Sequence, residues 1–341
     1  MVKRVTIAEV AALARVHKGT ASRALSEKSE HQVNPDTVKR VKRAAKQLGY
    51  IPNVMARGLR TSLSMTIGVI IPDLTNPIFP PIIRGIENYL SPRGYTALLA
   101  NTDGRDSLEK SAFNSLLERR VDGFIMATGL VDHPLLQEAF ESNVKIVLAN
   151  RGSSNVPYPL VTGDDASGIA AAVHHLSDLG HRSIVHMAGP ANLSTTNTRT
   201  TAFIASCAQL PQLTSSVISA SALSVDAGER TMDEMLAGGE RDVTAVVASN
   251  DLLALGALRS LRKHGLRCPE DFSIVGFNDM PFAEDFYPPL TTVHVPQQEI
   301  GTESARLLLD NIQNDSQSPI TISLPVSLIV RASTAQARSR A

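Results

Sequence analysis

A small all-helical head followed by a two-lobed α/β body with parallel, doubly wound sheets is the fold class this sequence predicts. Three observations carry it: a sharp change in charge along the chain, strong helix-start signals in the first fifty residues, and strand–helix alternation from Thr66 onward. The 341-residue chain balances 33 basic against 33 acidic residues, but residues 1–65 hold 13 basic and 4 acidic groups, a net +9. The remaining 276 residues carry 20 basic and 29 acidic groups, a net −9. A basic head on an acidic body points to a polyanion as the partner of the head alone. With 43% hydrophobic residues, the chain can bury two or three separate cores.

The head reads as three short helices. Thr6 and Glu9 form a capping box, in which the Thr side chain accepts a backbone N–H and the Glu reaches back to the cap. Ile7, Val10, Ala11 and Ala14 then make one apolar stripe, and a second helix runs from about Lys18 to Leu25 with Ala21, Ala24 and Leu25 inward. Arg15, Val16 and His17 make the tight turn between them. Asn34 caps a third helix, Pro35 occupies its first position, Val33 and Val38 staple its start, and Gly49 stops it. Its stripe is Val38, Val41, Ala45 and Leu48.

Two helices joined by a tight turn and backed by a third form the helix-turn-helix layout, whose second helix enters the major groove of double-stranded DNA. An ordinary solvated helical bundle is the other reading of the same pattern. After Gly49 comes "YIPNVMARGLR". The stretch Asn53 to Thr61 is too short to hold a helix alone, and Gly58 weakens it further. Arg57 and Arg60 flank Leu59, an apolar side chain of the kind that wedges between base steps from the minor groove.

The body alternates "TIGVIIPD", "TALLAN", "GFIMAT", "KIVLAN", "SIVHMAG", "SSVISA", "AVVASN" and "FSIVGFND" with helical stretches such as Pro81 to Leu90, Leu108 to Arg119, Ser167 to Leu179, Ala227 to Leu236 and Leu252 to His264. Near-continuous apolar strands spaced by helices mark a parallel sheet covered on both faces. The strands fall into two sets divided near Val161–Asp165 and again near Pro288–Val293, which predicts two lobes, a chain that crosses between them more than once, and a ligand cleft at the carboxyl ends of the strands. The expected division is a helix-turn-helix domain over 1–50, a hinge helix and linker over 51–64, and a core over 65–341. Within the core, the N-lobe spans about 65–163 and 293–323, and the C-lobe about 164–292 and 324–334.

The opening helices, "YIPN" with "ARGLR", and then "PDLTNPIF", "AGP", "SNDLLALGALR", "VGFND" and "LPVSLIVRAST" together resemble the LacI/GalR family of bacterial transcriptional repressors over nearly the whole chain. The resemblance implies a periplasmic-binding-protein-like core and a homodimer on a palindromic operator. Helices Lys18 to Leu25 would lie in two major grooves, with paired hinge helices opening the minor groove between them. It implies DNA contacts at Thr6, His17, Lys18, Gly19, Thr20, Ser22, Arg23, Asn53, Ala56, Arg57 and Leu59, the last matching the family's intercalating leucine. Lys18 and Gly19 fall at base-reading positions, and a Lys there can donate to guanine O6 and N7. The turn departs from the family's usual "GVS": Arg15 stands where glycine relieves strain, and His17 stands where serine caps the helix. His17 is either a surface turn residue or a phosphate contact.

Effector-contacting positions implied by the same motifs are Leu74, Asn76, Phe79, Asn150, Arg199, Asn250, Asp251 and Asn278. Sugar-binding members often carry aspartate where this chain has Asn150 and Asn278. Losing two charges opposite Arg199 predicts a neutral or anionic effector, such as a sugar acid, sugar phosphate or small carboxylate. Each Asn also reads as a strand-end residue capping backbone.

Other classes fit less well. Cys207 and Cys268 stand far apart without metal-ligand spacing, as unpaired thiols of a reducing cytosol do. His174, His175, His181 and His186 straddle a helix end, a turn and a strand and face different ways, so neither a metal nor a cofactor is expected. GxSxG, P-loop, GxGxxG and HExxH motifs are absent, which disfavours an enzyme. A sugar-handling enzyme or a solute-binding protein on the same α/β body is the competing reading, but neither accounts for the +9 head. No apolar run follows Lys3 and Arg4, and none approaches the roughly 18 residues of a membrane span, so a cytoplasmic protein without membrane contact is expected. The tail "AQARSRA" lacks a leucine heptad, which leaves a dimer as the expected assembly.

Overall fold

The computed structural model describes residues 5–26, 29–50, 63–238 and 242–338, and the chain divides into two compact units, Met1–Ser64 and Met65–Ala341. Asn53, Ala56, Arg57, Leu59 and the hinge expected over them lie outside the described residues.

In the first unit, α1 (Ile7–Leu13) starts on the predicted capping box, with the Glu9 carboxylate accepting from the Thr6 backbone N–H at 2.6 Å. α2 (Lys18–Ala24) and α3 (Pro35–Leu48) follow. α3 opens on Asn34, whose Oδ1 accepts from Asp36 N at 2.9 Å, and ends on Gly49 at φ 64°, a left-handed cap that costs glycine no side-chain clash. Val10, Ala11, Ala14, Ala21, Ala24, Val41, Ala44 and Ala45 form its core. Small side chains there let three short helices approach closely where none could persist alone.

The second unit contains two six-stranded sheets. The first is ordered β2-β1-β3-β4-β5-β11, all parallel: β1 (Thr66–Ile71), β2 (Thr96–Asn101), β3 (Gly123–Met126), β4 (Ile146–Ala149), β5 (Leu160–Gly163) and β11 (Thr321–Leu324). The second repeats the pattern as β7-β6-β8-β9-β10-β12: β6 (Ser183–Ala188), β7 (Thr214–Ser219), β8 (Ala245–Ala248), β9 (Ser273–Asn278), β10 (Thr291–His294) and β12 (Ser327–Ile329), with only β12 antiparallel. The inner strands β1, β3, β4, β6, β8 and β9 are almost wholly buried, as strands covered on both faces are, so they read as mostly apolar runs.

Helices α4 (Phe79–Leu90), α5 (Asp106–Glu118), α6 (Pro134–Glu141) and α11 (Gln297–Gln313) accompany the first sheet. Helices α7 (Asp165–Asp178), α8 (Ser194–Ala208), α9 (Val225–Ala237) and α10 (Asp251–Lys263) accompany the second. The chain passes between lobes three times, after Gly163, His294 and Leu324. α4 and α11 cross with backbone nearly touching: a Cβ on Gly85 would lie 2.0 Å from Gln298 O, and one on Gly301 2.0 Å from Ile82 O.

Candidate functional site

The head presents one built surface. Ala21 and Ala24 turn α2 toward the core, which leaves Lys18 and Arg23 exposed and Gly19, Thr20 and Ser22 half-exposed along the opposite side. Thr6 and His17, at the amino ends of α1 and α2, are exposed as well. The unusual turn resolves simply. Arg15 adopts φ 52°, the left-handed conformation a glycine would take without strain. The His17 Nδ1 accepts from Gly19 N at 3.2 Å, so imidazole replaces a serine hydroxyl as the cap and its Nε2 remains at the surface. Basic residues of α3 add to the field: Lys39, Lys42, Arg43 and Lys46. Lys42 is tied to Glu30 at 2.5 Å, and Arg40 donates to Ala14 O at 2.9 Å.

The second unit has a cavity of about 660 Å³ between its lobes. Segments following β1, β2, β3 and β4 line it from one side, and segments following β6 and β7 from the other. Both sets leave the carboxyl ends of the strands, where the strand order reverses beside β1 and β6 and adjoining connections diverge to make a crevice. The lobes also touch at its rim, where Val131 N donates to Asn192 O at 2.9 Å and Gly152 N to Ser194 Oγ at 2.9 Å.

Of the eight positions carried over from sequence, the structure brings two to this cavity. Asn76 lines it while its Oδ1 accepts from Ile78 N at 3.3 Å, and Phe79 closes the floor with no exposure. Leu74 stays 46% exposed outside it. Arg199 is taken up inside the second lobe: its Nη2 pairs with Asp165 at 2.9 Å, its Nη1 donates to Ser249 O at 2.5 Å, and its guanidinium lies 3.8 Å from the Phe277 ring centre. Burial raises the Asp165 pKa, and the Arg199 charge offsets this only in part. Asn250 caps α10 by accepting from Leu253 N at 2.9 Å.

Asp251 accepts from Thr292 Oγ1 at 2.5 Å and from Met280 N at 2.7 Å, and burial pushes its pKa up to about 7. Asn150 and Asn278 end β4 and β9 at φ 66° and 112°, left-handed turns that Asn tolerates better than most residues. Asn250 and Asp251 are thus drawn into backbone duty, accepting from N–H groups that a strand end or helix start leaves without acceptors, whereas the Asn278 side-chain oxygen is buried without a hydrogen-bond partner.

The polar centre of the cavity is made by residues outside the eight expected positions. Arg151 directly follows Asn150, lines the cavity and is 8% exposed. Burial, reinforced by the Arg199 charge, lowers its pKa to about 10. Glu109, on α5, accepts from Thr128 Oγ1, and its Oε1 lies 3.3 Å from His133 Nε2 without hydrogen-bond alignment. The signal that could have found them is a charge inside an otherwise apolar run: Arg after "KIVLAN", and Glu on the inward side of α5. Among the described residues no group of three or more His, Cys, Asp or Glu could hold a metal ion, and no helix is long and apolar enough to cross a membrane.

Residues 6–53 match the model of bacterial regulatory proteins of the lacI family, and residues 173–334 match a periplasmic binding protein-like domain. The chain is 31% identical over 330 residues to the HTH-type transcriptional repressor CytR of Escherichia coli strain K12, covering 96% of each protein. It is 35% identical over 340 residues to the HTH-type transcriptional regulator CelR of Thermobifida fusca, covering 97% of this chain and 98% of CelR. Among solved structures, the lac repressor dimer bound to operator and the anti-inducer ONPF aligns with a TM-score of 0.86 at 28% identity, over 98% of this chain and all of that one. A CelR–cellobiose complex aligns at 0.73 and 32% identity, over 97% and 100%. An exposed recognition helix on a basic head, an inter-lobe cavity and end-to-end similarity to these repressors agree: the chain belongs to the lacI family of bacterial regulatory proteins.

Proposed function

We propose that the chain represses transcription from the cytoplasm as a homodimer on a palindromic operator, and that a small hydroxylated metabolite in the inter-lobe cavity controls its hold on DNA. The observation that carries this reading is the pairing of two built surfaces in one chain. One is the exposed Lys18–Arg23 side of α2 within a head of net +9. The other is a cavity walled by both lobes. Lys18 and Gly19 stand where α2 meets base edges, Thr20, Ser22 and Arg23 contact phosphates and some base edges, and Thr6 and His17 anchor the helix starts to the backbone. In the connecting segment, Asn53, Ala56 and Arg57 contact the minor groove, and Leu59 wedges at the operator centre.

The effector acts by favouring one lobe arrangement over another, since a ligand that binds both equally shifts nothing. The CelR structure is a complex with cellobiose, which supports a sugar-class ligand for this protein. A sugar-handling enzyme on the same core would turn its ligand over, whereas this protein returns it unchanged. The test is selection of fragments from the source genome by purified protein at near-physiological salt, followed by sequencing. A palindrome with a flexible central step is expected, with Leu59→Ala weakening binding to it far more than binding to random DNA. Enrichment of no common sequence, with or without added metabolite extract, would refute the proposal.

A further inference from the structure

The lining of the inter-lobe cavity includes one basic side chain, and it has no ion-pair partner among the described residues. Arg151 lines it at 8% exposure, its Nε is buried with no hydrogen-bond partner, and no ion pair reaches its guanidinium among the described residues. Its neighbour Arg199 is matched by Asp165 at 2.9 Å, so that carboxylate is already committed. The Phe79 ring centre, 5.8 Å from the Arg151 guanidinium, sits at the outer limit of a cation–π contact. An isolated buried cation is expensive to keep, and apart from that distant ring no contact among the described residues compensates it. Residues retained against stability inside a cavity are those a ligand completes.

The rest of the lining narrows what that ligand is. Asp73, Asp103, Asp106 and Glu109 all face the same cavity from the first lobe. Ionised carboxylates only accept hydrogen bonds, so they suit hydroxyl donors and repel further negative charge. One guanidinium among four carboxylates has room for a single anionic group, placed at Arg151, on a molecule otherwise bearing hydroxyls. A planar carboxylate matches the guanidinium fork with two parallel hydrogen bonds. Resting on the effector reading above, we propose that the effector is a sugar acid, whose carboxylate forks onto Arg151 and whose hydroxyls donate to the first-lobe carboxylates.

Two measurements on the full-length chain test this. Without ligand, Arg151→Gln removes an unpaired buried charge, so the melting temperature of the core stays level or rises; a clear fall would show that the fold itself uses Arg151 and would overturn the proposal. With ligand, aldonates and uronates of the common hexoses and pentoses are titrated by calorimetry beside their neutral parent sugars and sugar phosphates. At least one acid is expected to bind about 10- to 100-fold tighter than its neutral parent, the range of a charged hydrogen-bond pair, and Arg151→Gln is expected to erase that preference. Binding of a neutral sugar or a phosphate ester as tight as the best acid, or of no acid at all, would overturn the proposal. Operator binding is measured in the same preparations. Operator release by a neutral sugar leaves the repressor reading standing and rejects the carboxylate, whereas absence of operator binding rejects the repressor reading itself.

Discussion

Replacing Arg199 by alanine should unfold the core more readily rather than only blunt its response to effector. The guanidinium is 4% exposed and pairs with an Asp165 that is 5% exposed, and it spans from α8 to the start of α7 and to the residue following β8. Removing one partner of such a pair leaves a buried charge uncompensated, at a cost of about 3–5 kcal/mol. For a unit of this size each kcal/mol lowers the melting temperature by roughly 2–4 °C, so a fall of about 6–20 °C is expected for the Met65–Ala341 unit.

The loss also depends on pH with a definite sign. Asp165 already has a pKa raised by burial, and without Arg199 it rises further. A carboxyl whose folded pKa lies above its unfolded one binds extra protons in the folded state, so the fold weakens as pH rises between the two values. The penalty of Arg199→Ala should therefore be larger at about pH 8 than at about pH 5, and adding Asp165→Asn should return much of the stability by removing the orphaned charge. Scanning calorimetry of the three proteins at both pH values decides it. An Arg199→Ala protein that melts like its parent at both, yet no longer answers to effector, would show that Arg199 is a ligand contact and that the clamp is unimportant.

Three further outcomes are expected. Because the Asp251 pKa stands at about 7 rather than the ordinary 3.8, the stability of the core should fall as pH climbs from about 4 to about 7. Asp251→Asn should flatten that part of a urea-denaturation series, and an unchanged slope would assign the dependence elsewhere. Gly301→Ala places a Cβ 2.0 Å from the Ile82 carbonyl, so α4 and α11 must separate. A loss of about 1–3 kcal/mol is expected from such overpacking, against a gain of up to about 1 kcal/mol if helix propensity alone decided. Lys18→Ala should cost about 1–3 kcal/mol on the selected operator and relax preference at one base of each half-site; equal weakening on all sequences, read by competition binding, would make Lys18 a phosphate contact instead.

The head was legible in the sequence nearly residue by residue. Its signals are local: Thr6 with Glu9, Asn34 with Pro35, and Gly49 each act within one helical turn, so reading a few neighbours suffices. The strands of both sheets that carry apolar runs were legible for the same reason. Strands β5, β10, β11 and β12, and helices α6, α8 and α11, were not assigned, because their short or mixed-polarity runs make sense only against the sheet that distant chain completes.

The cavity shows the limit most clearly. Sequence motifs located the strand ends where a ligand must lie. Whether a polar side chain there serves ligand or backbone depends on which partners the folded lobe brings within about 3 Å. Asp165, 34 residues away from Arg199 in sequence, captures that guanidinium, while Arg151 finds no such partner among the described residues. Hydrogen bonds and ion pairs are short-ranged, and only the tertiary arrangement decides who is near enough to make them. Sequence by itself determined that this protein has a DNA-reading head and a two-lobed sensing body; the tertiary packing decided that Arg199 is paired inside the second lobe while Arg151 lines the cavity.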